Sequence, residues 1–91
     1  MSTTIHKFDV PNEPGEFSLW LPADAEPLCV QKQHGNPRIW VRLDPDSPNF
    51  WHSFEVVGTG HSCAPDSRYL GTFQELDGSL VWHVFHGGVR R

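Results

Sequence analysis

Tyr69-Leu-Gly-Thr-Phe-Gln-Glu-Leu-Asp-Gly-Ser-Leu-Val-Trp-His-Val-Phe-His86 decides the reading of the fold. Two apolar runs flank Asp77-Gly78, the dipeptide that most readily supplies the positive backbone dihedrals of a two-residue hairpin turn. A turn centred there sets Phe73 opposite Trp82, Gly71 opposite Val84 and Tyr69 opposite His86, all on one apolar side. An aromatic cross-strand pair of this kind adds roughly 0.2–1 kcal/mol to a sheet. The other side mixes Leu70, Val81 and Phe85 with Thr72, Gln74 and His83. Alternation is therefore partial, the pattern of a strand covered on both faces or facing a partner.

Working back toward the N-terminus, the same punctuation recurs. Eight Pro and eight Gly break a 91-residue chain into short segments, and no segment carries a helical period. That spacing predicts an all-β class: a small, mostly antiparallel barrel or sandwich of about seven strands joined by hairpins. Thr3–Val10 reads as a first strand and Glu16–Leu21 as a second, with Phe17, Leu19 and Leu21 on one face and Trp20 on the other. Pro22–Pro27, with a proline at each end, reads as a surface connection. Phe50–Val57 is a strand with Phe50, His52, Phe54 and Val56 facing one way. Residues 87–91 read as a flexible tail, and no internal boundary divides the chain.

Leu28–Leu43 has the cleanest alternation. Two strands flank His34-Gly35-Asn36-Pro37, with Gly35-Asn36 expected as the tight turn. Leu28, Val30, Ile39, Val41 and Leu43 form a core face, joined by Lys32 at the turn end. Cys29, Gln31, Gln33, Arg38, Trp40 and Arg42 form the opposite face. An indole between two guanidiniums and opposite two amides has three readings: a stacking platform for a base or aromatic ligand, a protein interface, or plain surface. Interfaces are enriched in Trp and Arg, which favours the second.

Composition bounds the remaining possibilities. Hydrophobic residues make up 37% of the chain, and four Trp and six Phe concentrate that area in bulky side chains. A domain this small often completes its core by association, so a homodimer or higher homo-oligomer is expected. The net charge of −4 with neutral His disfavours sequence-independent duplex binding, which needs cations against phosphates. No apolar run approaches the roughly 18 residues of a spanning helix, and the first residues lack a signal-peptide pattern. The two cysteines are accordingly expected as free thiols in a cytoplasmic protein.

Other motifs are weaker. Gly58-Thr59-Gly60-His61 can aim backbone amides at an anion, but no helix follows to make it a nucleotide-binding fingerprint, and a plain tight turn also explains it. His61, Cys63 and His83, with His52, contain the residue types of a zinc site without its characteristic spacing. No cofactor is implied. Ser62, Cys63 and His61 adjoin, but neighbours on an extended chain point apart, and a nucleophile needs its base within hydrogen-bond reach. The sequence therefore favours a non-enzymatic role.

Several blocks together resemble a known family: Ile5–Phe8, Leu28–Gln31 through Trp40, Asp44-Pro45, Gly58–His61, Tyr69–Gln74 and Leu80–Phe85. They are similar to a family of small uncharacterised proteins encoded by bacteriophages and prophages. The chain departs from that pattern around Ser47–Phe50, in the Cys63 loop and in its extra C-terminal residues. The family carries no assigned activity, so no catalytic residue follows from it. The resemblance implies a phage accessory protein in the host bacterial cytoplasm. Its expected role is counter-defence, by engaging a host immune protein or sequestering a nucleotide-derived signal. Gln31, Arg38, Trp40, Arg42 and Gly58–His61 are the candidate contacts. A structural phage protein, or a small metal-dependent enzyme, is the alternative.

Overall fold

A computed structural model describes residues 2–90. Its strands are β1 (Thr4–Asp9), β2 (Gly15–Pro22), β3 (Glu26–Gln33), β4 (Asn36–Leu43), β5 (Asn49–Gly58), β6 (Arg68–Glu75) and β7 (Leu80–Val89). They pair antiparallel in two sheets, of order β1-β4-β3 and β2-β5-β7-β6. The all-β class holds, and of the two architectures expected the molecule is the sandwich.

The β3–β4 hairpin turns at His34-Gly35, whose φ values of 52° and 83° are those of the tight hairpin turn, with Gln33 opposite Asn36. The turn sits one residue earlier than Gly35-Asn36. Moving it by one changes each partner by two, so Val30 meets Ile39 and the side chains from Cys29 onward keep their faces. Val30, Ile39, Val41 and Leu43 are buried as expected. Leu28 departs from that set because a bulge interrupts β3 between Pro27 and Cys29. Pro27 takes the buried place opposite Val41, so the connection expected over Pro22–Pro27 is cut short by β3. Proline is tolerated at a bulge, where the ladder already lacks a donor.

The β6–β7 hairpin shows Phe73 opposite Trp82 and Gly71 opposite Val84, as expected. Its turn is longer than two residues. Glu75 pairs with Leu80, and Leu76, Asp77 and Gly78 between them all take positive φ. A second bulge, between Tyr69 and Gly71, sets Tyr69 opposite Phe85 rather than His86 and turns Leu70 into the core. The tail expected at 87–91 is paired through Val89, which faces His52, and Arg90 N donates to Trp51 O at 2.7 Å. Arg91, the end of that tail, lies outside the described residues.

The sheets come closest where β3 crosses β6. A Cβ on Gly71 would stand 3.0 Å from Val30 Cβ and O and 3.1 Å from its N, so any larger residue would have to push the Val30 backbone back. Lys32 fastens the same seam from the turn end. Its ammonium lies 2.8 Å from Glu75 Oε1 and donates to Gln74 O at 3.1 Å. That cation holds the Glu75 carboxyl below the usual carboxylate range.

Of the two buried polar side chains among the described residues, Asp44 and His52, the histidine is the deeper. His52 is 0% exposed, with Nε2 2.8 Å from Pro22 O and Nδ1 3.0 Å from His86 Nε2. A carbonyl only accepts, so Nε2 of neutral His52 carries the proton and Nδ1 accepts from His86. Burial, then the neighbouring His52 and Arg68, push the His86 imidazole down to about 4.

Two outcomes follow for stability. Gly71→Ala destabilises the fold by about 1–3 kcal/mol, because two of the atoms it meets are backbone and cannot rotate away; chemical denaturation measures it. His86 is neutral in the fold down to about pH 4 but protonates near 6.5 when unfolded, so its contribution is complete above pH 6.5 and lost as pH falls toward 4. Thermal melts should show Tm falling across that window, with a shallower fall in His86→Gln.

Candidate functional site

The outer face of the three-stranded sheet is a grid of cross-strand rows. Asp9, Arg38 and Gln31 form one row, Lys7, Trp40 and Cys29 the next, and Ile5, Arg42 and Glu26 the third. The structure thus gathers Gln31, Arg38, Trp40 and Arg42 on one face, with Trp40 half-buried at its centre. Both guanidiniums are occupied. Arg38 Nη1 donates to Asp9 Oδ1, and Arg42 donates through Nε, at 3.1 Å, and Nη2 to Glu26 Oε1. Arg42 beside Glu26 holds that carboxyl below its ordinary range. Lys7 reaches across β4 to Gln33 Oε1 at 2.6 Å. Three cations face two carboxylates, so little positive potential remains to draw a phosphate.

Gly58–His61 closes the end of β5 and, with Ser79–Trp82, lines a cleft of about 350 Å³. Gly58, Thr59 and His61 contribute to its wall. The amides read as an anion cradle are largely spent, since Thr59 N donates to Val81 O and His61 N to Gly58 O. What remains for a ligand is a hydroxyl, an imidazole and the edge of an indole. The indole is Trp82, whose buried Nε1 has no hydrogen-bond acceptor among the described residues.

His83 lies on the outer face of the four-stranded sheet. Thr59 Oγ1 is 2.7 Å from its Nε2, and Thr72 Oγ1 is 2.9 Å from its Nδ1 and 2.6 Å from the Tyr69 hydroxyl. Both ring nitrogens are therefore engaged by hydroxyls. Cys63 is an exposed free thiol in the β5–β6 loop. Among the described residues no three His, Cys, Asp or Glu side chains gather as a metal site, so His61, Cys63 and His83 are not brought together.

Two exposed indoles lie outside the residues singled out from the sequence. Trp20 on β2 and Trp51 on β5 face each other across the pair, 4.9 Å between ring centroids, and are 53% and 51% exposed. Ser18 and Ser53 form the next row, followed by Glu16 directly opposite Glu55. Phe85 faces Glu55 across the β5–β7 pair and packs edge-on against Tyr69. Parity along β2 and β5 already turns both indoles outward. Their meeting depends on a pairing between strands far apart in sequence, which no turn signal announces.

The description "Domain of unknown function (DUF7352)" belongs to the family model that matches residues 1–90. No curated protein and no solved structure matches the chain. For the Trp40 face, Trp40→Ala should keep the native strand signature in circular dichroism and cost less than about 2 kcal/mol, because the indole is only half removed from water. Arg42→Ala should cost under about 1 kcal/mol, as expected for an exposed pair.

Proposed function

We propose that this chain, which belongs to the DUF7352 family, is a non-catalytic binding domain that engages a protein partner through aromatic side chains on its sheet faces. The observation that carries the reading is the Trp20–Trp51 pair, two indoles in tilted contact and each more than half exposed. Exposed tryptophans of this kind are the usual anchors of protein interfaces, where burial in a partner's pocket supplies most of the affinity. Glu16 and Glu55 set the chemistry of that partner. Like charges directly opposite destabilise a sheet, and a Lys or Arg placed between them relieves the repulsion. The partner surface is thus a protein with an apolar pocket flanked by a basic residue.

Gln31, Arg38, Trp40 and Arg42 offer a second contact face on the other sheet. Its self-paired charges suit a protein surface better than a nucleotide-derived signal, which would have to displace Asp9 or Glu26 from the guanidiniums. The resemblance of the Gly58–His61, Tyr69–Gln74 and Leu80–Phe85 blocks to phage-encoded proteins supports the finer reading. In that reading the partner is a host immune component in the bacterial cytoplasm, and the domain acts in counter-defence. Phage assembly is the rival role.

Affinity capture from bacterial extract, with the bound material identified by mass spectrometry, tests this. The wild type should retain one host protein stoichiometrically, and Trp20→Ala/Trp51→Ala should reduce that capture at least tenfold with the fold unchanged. A stoichiometric small molecule in place of a protein, or phage particle components, would overturn the host-protein reading.

A further inference from the structure

We infer that a second copy of this chain pairs with the first along β1, joining the two three-stranded sheets into one continuous six-stranded sheet. β1 is an edge strand. Val10 N donates to Pro37 O at 3.2 Å, continuing the β1–β4 ladder one step beyond Asp9–Arg38. Bonded and non-bonded pairs alternate in an antiparallel ladder. Phe8, His6 and Thr4 therefore turn their amides and carbonyls toward β4, and Ile5, Lys7 and Asp9 turn theirs away from the sheet. The edge Thr-Ile-His-Lys-Phe-Asp contains no proline, no glycine and no bulge to blunt it, the form of edge that recruits another strand.

Charge selects the occupant and its register. In a two-fold antiparallel pairing, the outward-turned groups can bond only if odd-numbered residues oppose odd-numbered ones. Centring the axis on Lys7 sets the two Lys7 ammoniums against each other, and centring it on His6 sets Ile5 against Lys7. Centring it on Phe8 sets Lys7 opposite Asp9 of the other copy, twice. Asp9 suits this role because its side chain is 86% exposed and only Oδ1 is engaged by Arg38. At the axis the two Phe8 rings meet on the inner side. There Phe8 borders a cleft of about 180 Å³ shared with His6, Trp20 and Leu21. The second copy thus covers the flank of the sandwich that β3 and β6 do not close.

Light scattering across a dilution series tests the pairing. The wild type should show twice the chain mass at high concentration and dissociate on dilution, as a small interface requires. Lys7→Pro deletes an outward amide that bonds nothing among the described residues, and should leave a folded monomer. Lys7→Glu keeps the backbone, opposes two carboxylates, and should raise the dimer dissociation constant about tenfold or more. A wild type monomeric at every concentration, or a dimer indifferent to Lys7→Glu, overturns the inference. Neither substitution touches Trp20 or Trp51, so loss of partner capture and loss of dimer are read separately.

Discussion

Two sheets of a sandwich ordinarily stand about 10 Å apart, held off by the side chains between them. At Gly71 this molecule removes the spacer altogether, and β6 comes down onto the backbone of Val30. Both strands of the seam are bulged beside the contact, β3 at Leu28 and β6 at Leu70. A bulge adds twist to its strand, so two edges that would diverge are bent toward each other. The Leu70 bulge also delivers a leucine to the core next to the glycine that cannot contribute one. Lys32 and Glu75 hold the outer end of the same crossing. With one flank closed in this way, the opposite flank, between β1 and β2, is left with free edges.

The hairpin faces were legible in the sequence because side-chain parity survives small errors of register. The β3–β4 turn lies one residue from its expected place, yet Val30, Ile39 and Val41 remain inside and Trp40 remains outside. A bulge does not preserve parity, and no residue type marks one. Leu70, expected on the face opposite Phe73, lies in the core, and Tyr69 pairs with Phe85 rather than His86, for that single reason. Gly87 and Gly88 read as a tail by composition, but they are strand, with Gly87 packed close to Ser53 and Gly88 at a φ of 96° that favours glycine. A Cβ on Gly87 would stand 2.5 Å from Ser53 Oγ. The candidate site was legible to the same degree. Strand parity found the Trp40 face, whereas the Trp20–Trp51 pair arises from a β2–β5 pairing that no local pattern encodes.

Charge is distributed unevenly over the two broad faces. On the three-stranded sheet each guanidinium has a carboxylate in its own row, and the result is a nearly neutral polar grid around one indole. On the four-stranded sheet Glu16 and Glu55 oppose each other with no basic residue in their row, next to the largest exposed rings. The first arrangement is satisfied within the chain. The second has no counter-charge in its row, and the partner surface we propose lies on that side.

The four indoles occupy three different environments: two tilted against each other in water, one half-covered beside Cys29, and one lining the interior end of the sandwich. Transition dipoles held as near as those of Trp20 and Trp51 couple, splitting the strong ultraviolet indole band into two lobes of opposite sign. The far-ultraviolet spectrum of this strand-built chain should therefore carry an exciton couplet, which vanishes when either ring is removed. The optical signal thus reports the geometry of the β2–β5 pair directly, without any label.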